Sequence, residues 1–231
     1  MEKIDPVPLF SSIGKKVLMA VTGLILFGFV VGHLLGNLQI FAGPDAINGY
    51  ARKLRHLGPG LWLIRAFLLL SVGAHIWTSI SLARENAAAR PIRYRRFRPA
   101  ETTLAARAMM GSGVLALAYL LYHLLHFTVR VTDPELAHLP DPLGGHDVYT
   151  MMVRGFQHRF VSLAYLIGVG MVCAHLSHGA ASAFQTLGLS NERTLAGLEV
   201  ASRLIAWLIF IGYASIPLAV LFGCIEPRTF R

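Results

Sequence analysis

Apolar residues fall in five long runs, at 17–41, 61–83, 108–129, 160–184 and 204–224, separated by more polar connections. A bilayer core takes about 20 residues of helix to cross, and every run meets or approaches that length with few charges inside it. None alternates apolar and polar positions as a half-buried strand does, so the runs read as helices. Helices also satisfy their own backbones in lipid. The pattern predicts an all-α integral membrane bundle of five transmembrane helices, a single domain over residues 1–231. The connections contain Pro and Gly but do not read as domain linkers, and no simple repeat or low-complexity tract stands out. A signal peptide is the competing reading of Lys15 and Lys16 ahead of the first run. That run is too long, however, and no small-residue cleavage site ends it.

Composition supports lipid as the solvent. Hydrophobic residues make up 55% of the chain and charged residues 14%, against about a quarter charged in soluble domains. The net charge of +9 reads as membrane topology rather than nucleic-acid binding. Residues 84–99 hold six arginines between the second and third runs, which places that connection in the cytoplasm by the positive-inside rule. Lys3, Lys15 and Lys16 put the N-terminus on the same side, and five spans leave the C-terminus outside. Residues 131–149 carry four acids and no Lys or Arg, as suits an outer loop. Arg52, Lys53 and Arg55 in the first outer connection are an exception, and residues 45–57 there read as a short surface helix. Cys173 and Cys224 both fall in apolar runs and read as small core residues, not as a disulfide or a zinc site.

Ten histidines then become the candidate chemistry. Ionisable groups inside a membrane are costly and usually face the bundle interior. His56, His138 and His146 fall in outer connections and His158 at the outer edge of the fourth helix. The other six lie within runs. Counting from the charged inner ends at about 1.5 Å per residue, His33 lies about 25 Å deep and His123 about 24 Å. His75 and His175 lie about 14 Å and about 15 Å deep. The four therefore sort into two levels roughly 10 Å apart, two helices at each. Two imidazoles from different helices at one depth suit a haem iron, which takes axial ligands from opposite faces. Each histidine taken alone could instead hydrogen-bond a neighbouring helix. A proton relay or transporter is the other functional reading, but it usually enlists buried acids, and these helices hold almost none.

His126 and His178 follow His123 and His175 by three residues and share their faces. They rank as partners of the ligands, or as alternative ligands. Gly28, Gly32 and Gly36 form a stripe that serves either close helix packing or room for a flat macrocycle. An axial imidazole also needs its far nitrogen oriented, for which Ser or Thr hydroxyls and backbone carbonyls are the candidates.

The stretches "GHLLGNLQIF", "AHIWTSISLARENAAARPIRYRRF", "MMGSGVLALAYLLYHLLHFT" and "AHLSHGAASAFQTLGL" together resemble the cytochrome b subunit of succinate:quinone oxidoreductases and fumarate reductases, of the single-polypeptide, five-helix, di-haem type. The resemblance spans nearly the whole chain. Its most specific marks are Gly113 ten residues before His123, and the His-x-Ser-x-Gly form from His175 to Gly179. It implies two haem b groups with His33, His75, His123 and His175 as axial ligands, first with third and second with fourth. It implies that the His75–His175 haem lies nearer an iron–sulfur subunit, which a flavoprotein subunit feeds with electrons from succinate. A quinone, expected to be menaquinone, is the membrane substrate. The implied setting is the respiratory chain and tricarboxylic acid cycle, in a bacterial inner (cytoplasmic) membrane.

Two departures stand out. A related fumarate reductase has a glutamate, linked to proton movement, where this chain has Cys173, so that proton path is not expected. The family's propionate-binding residues lack clear counterparts. Lys16, Arg84 and Arg107 are the substitutes, since cations near the inner face pair with carboxylates. The runner-up readings are a di-haem anchor of another quinone-linked dehydrogenase, such as a hydrogenase or formate dehydrogenase, and a non-redox transporter. The chain shows no flavin motif, cysteine cluster or dicarboxylate site of its own.

Overall fold

The computed structural model describes residues 11–89 and 104–228, with side chains from residue 108 onward in the second stretch. Lys3 and most of the arginine-rich connection lie outside the described residues. So does the side chain of Arg107.

Seven α-helices lie among the described residues. They are α1 (Ser12–Asn37), α2 (Pro44–His56), α3 (Pro59–Ala88), α4 (Leu104–His123), α5 (Val148–Gln157), α6 (Arg159–Thr186) and α7 (Glu192–Leu221). Among the described residues there is no strand, only an isolated bridge between Pro140 and His146. Five helices are long and apolar enough to cross a membrane: α1, α3, α4 with its extension, α6 and α7. Helix α1 packs on α3 and α6, α4 packs on α6, and α6 packs on α7, while α3 leans chiefly on α1.

The boundaries follow local chemistry. Ser11 accepts from the Gly14 N–H at 3.0 Å and starts α1. Glycines at positive φ, Gly43 at 97° and Gly58 at 53°, make the turns on either side of α2. Helix α4 runs on from His123 into a wide π-helical turn, Leu124–Val129, which Arg130 ends in the left-handed conformation.

Three features differ from the sequence reading. The fifth spanning helix begins at Glu192 rather than 204 and ends at Leu221 rather than 224. Asn191 and Thr194 form a capping box there, so good helix formers extend the apolar run by three polar turns. Cys224 therefore lies beyond the helix and is exposed, not a core residue; Cys173 is buried as expected. Third, residues 148–157 form α5, a helix too short to register as a span. It is cut from α6 at His158, where ψ is 109°.

The most buried side chains gather at the end of the bundle that holds α2 and α5. Ile40, Val153, Asn48, Thr150 and Asp147 are each under 2% exposed there. Asp147 caps α5 by accepting from the Thr150 N–H (3.0 Å) and hydroxyl (2.6 Å), and it accepts from Asn48 at 2.9 Å. Burial opposes ionisation of Asp147, but these donors outweigh it and hold the carboxyl below the usual range. Arg52 pairs with the buried Asp141, which accounts for one of the misplaced cations. At the opposite end, Lys15 pairs with Glu85 and ties α1 to α3. The helix surfaces between the two ends carry exposed apolar residues such as Leu63, Leu70, Ile167 and Leu208, as lipid-facing positions do.

The α4–α6 contact is set by one missing side chain. A Cβ on Gly168 would lie 2.0 Å from Cδ2 of Tyr119, whereas one on Gly170 would meet only Phe210, at 3.6 Å. Gly168→Ala is therefore expected to lower stability by about 1–3 kcal/mol through overpacking. Thermal unfolding in detergent checks this, with Gly170→Ala expected to leave the midpoint nearly unchanged.

Candidate functional site

The helix packing brings the four mid-helix histidines together as two pairs. His75 on α3 faces His175 on α6, with ring centroids 6.4 Å apart and planes at 78°. His33 on α1 faces His123 on α4, with centroids 5.8 Å apart and planes at 76°. A metal bound by one nitrogen of each of two opposed imidazoles, at about 2 Å each, leaves the centroids roughly 6 Å apart. Both pairs have that spacing. Among the described residues no group of three or more His, Cys, Asp or Glu could hold a metal ion.

The inner pair is held by hydroxyls and carbonyls on neighbouring helices. His75 Nδ1 lies 3.1 Å from the Met19 carbonyl and 3.3 Å from Thr22 Oγ1. Thr22 spends its own proton on the Leu18 carbonyl at 2.7 Å, so both neighbours accept and His75 Nδ1 carries the hydrogen. Ser112 likewise donates to the Met109 carbonyl and sits 3.2 Å from His175 Nδ1. Both Nε2 atoms are left with free lone pairs, the form a metal requires. The rings fit because Gly23 and Gly113 lie beside them: a Cβ on either would come within 3.2 and 3.3 Å of the imidazole Cε1.

The outer pair has a different setting. Phe29 stacks on His33, with centroids 5.3 Å apart at 13°, and Tyr213 lies on another side at 6.3 Å. His123 Nδ1 lies 3.4 Å from the Tyr165 hydroxyl. The same hydroxyl is 2.9 Å from His126 Nδ1. His126 is buried, and its Nε2 is 3.2 Å from Asp133 Oδ2, off the line of a straight hydrogen bond.

Helix α4 repeats the site features of α1. Met19, Thr22, Gly23, Phe29 and His33 correspond at an offset of 90 residues to Met109, Ser112, Gly113, Tyr119 and His123. The Ala74–His75 dipeptide corresponds to Ala174–His175 at an offset of 100. These are correspondences of single site positions between α1 and α4 and between α3 and α6. In each half, His33 or His123 lies ten residues beyond the glycine that receives the inner ring. The two levels are therefore about 15 Å apart along the helix, more than the count from the charged ends suggested.

The remaining candidates sort plainly. Gly36 packs on Tyr50, whose ring a Cβ would approach to 2.7 Å, whereas a Cβ on Gly28 or Gly32 would meet nothing within 4 Å. The stripe thus serves helix packing at one end and open space beside His33 at the other. His178 is partly buried, one turn inward of His175, and Lys16 and Arg84 are exposed. His56, His138 and His158 are exposed, and His146 is partly buried beside Met151. Sequence reasoning named the right kinds of group to orient the imidazoles but did not place Thr22, Ser112 or Tyr165, which reach across from other helices. Asp133 was counted only as a loop acid.

Comparison with protein-family models, curated proteins and solved structures finds no match to this chain. The fold and the site define its class: an all-helical protein with five helices apolar enough to cross a membrane and two stacked imidazole pairs between them.

Proposed function

We propose that this chain is the di-haem cytochrome b anchor of a succinate:quinone oxidoreductase, relaying electrons between an iron–sulfur subunit and a membrane quinone. The observation that carries the reading is the pair of matched imidazole sites at two levels, with both inner histidines hydrogen-bonded through Nδ1 so that Nε2 is free. Haem b, bound there, supplies one-electron transfer without a proton at the metal. The chain's own residues do the rest. His75 and His175 provide the inner ligands, and Thr22 and Ser112 fix their tautomer. His33 and His123 provide the outer ligands, and Gly28 and Gly32 leave the backbone bare beside them. Lys16, Arg84 and Arg107 at the inner ends are the cations offered to propionates. The N-terminus lies in the cytoplasm and the C-terminus outside, in a bacterial cytoplasmic membrane. The inner pair then faces the iron–sulfur and flavoprotein subunits, and succinate is oxidised on the latter.

The test is a pyridine haemochrome assay on the purified chain, with two haem b per polypeptide expected. Planes near 76° and 78° also lead us to expect strongly anisotropic low-spin ferric signals in electron paramagnetic resonance. A haem-free wild-type complex that still couples succinate oxidation to quinone reduction would overturn the reading.

A further inference from the structure

Behind the outer pair lies a run of polar side chains that two axial ligands do not by themselves require. Tyr165, 4% exposed on α6, joins His123 Nδ1 to His126 Nδ1 through its hydroxyl. His126, 3% exposed, turns Nε2 toward Asp133. The Asp133 side chain is 30% exposed, so the run ends at the aqueous edge of the bundle. The wide turn Leu124–Val129 and the left-handed Arg130 bring the chain back so that Asp133 comes against His126. Wide turns of this kind frequently mark functional sites. Gly155 on α5 closes the far side, since a Cβ there would press on His126 Nε2 at 3.2 Å.

With His123 bound to a metal through Nε2 and His126 neutral, the donors and acceptors take one polarity. His123 Nδ1 then carries hydrogen and donates to the Tyr165 oxygen. The Tyr165 hydroxyl donates to His126 Nδ1. His126 must then hold its hydrogen on Nε2, the atom beside the Asp133 carboxylate. The opposite tautomer would set a bare lone pair against a carboxylate oxygen at that distance. The inner pair has no such run: His75 and His175 end on a carbonyl and on hydroxyls that are already donating.

We propose that Asp133 is a positioning residue for His123, acting through His126 and Tyr165 to fix its tautomer and to raise its electron donation. The inference rests on the haem reading above. It assigns the outer site a lower reduction potential than His123 would give with a neutral partner, because a polarised imidazole favours the ferric state. Groups of this kind, one shell out from a metal, commonly tune a site through its ligands.

The test is a redox titration of the purified complex in wild type, Asp133→Asn and Tyr165→Phe, with the outer haem identified as the one that survives His75→Ala. Asp133→Asn keeps the shape of a loop side chain, and Tyr165→Phe keeps the ring while removing the bridge. Both variants are expected to retain two haems. Both are expected to shift the outer oxidised-to-reduced equilibrium about tenfold toward reduced, a rise of about 59 mV for a one-electron couple, with the inner haem unmoved. An unchanged outer potential in both variants overturns the inference and leaves the haem reading standing. So does an equal shift of both haems, which would mark a general change in the bundle. A wild type without haem is a different failure, seen in the haemochrome assay, and removes the haem reading and this inference together.

Discussion

Replacing His75 by alanine is expected to reduce the haem b content from two per chain to one and to stop quinone reduction driven by succinate. The expectation follows from how few groups hold the inner level. Among the described residues the imidazole that faces His75 is that of His175, with ring centroids 6.4 Å apart. Haem iron ligated through one imidazole instead of two loses half of its protein coordination, and the truncated side chain leaves Thr22 and the Met19 carbonyl without the ring they hold. Succinate oxidation measured with an artificial acceptor is expected to persist, because that chemistry lies on another subunit. The outer haem is expected to remain, since His33 and His123 lie about 15 Å away along the helices. A variant that keeps both haems would show that His75 is not a ligand.

Arg52→Ala is expected to destabilise the α2–α5 end of the molecule by about 3 kcal/mol, the low end of the range for breaking a buried ion pair. The Asp141 side chain is 1% exposed, while that of Arg52 is 24% exposed. Removing the arginine therefore leaves a carboxylate with little water and only a 3.4 Å contact from the Leu143 N–H. The low end applies because Arg52 is already partly solvated. Thermal unfolding in detergent measures the loss. Asp141→Asn added to Arg52→Ala is expected to recover much of it, because the stranded charge is then gone. If the double variant is no more stable than the single one, the loss comes from packing of the arginine stem rather than from charge.

The membrane helices were legible because lipid imposes a coarse rule: about 20 apolar residues in a row. That rule is blind to whatever lies outside the bilayer core. It truncated α7, whose first turns are polar yet capped by Asn191, and it missed α5, which has only ten residues. Pairing His33 with His123 and His75 with His175 needed only run lengths and charged ends, since a helix converts residue count into depth. The distance between the levels needed to know which residues of α1 and α4 meet the inner rings, Gly23 and Gly113, and came out larger. The hydroxyls of Thr22, Ser112 and Tyr165 were out of reach for another reason. Each meets a histidine on a different helix, and contact across helices leaves no spacing to count along one of them.

The crossed pairing of the histidines also sets the order in which the two sites can be completed. Each half supplies one imidazole to each level: His33 and His75 come from the first, His123 and His175 from the second. During synthesis the first half is made with both of its histidines unmatched; α4 completes the His33–His123 level, and the His75–His175 level waits for α6. A cofactor that needs two imidazoles therefore has no complete site until the second half has begun to follow, and the His33–His123 site opens before the other. Such a cofactor would act as a clasp between helices of the two halves, not as the template on which the first helices gather.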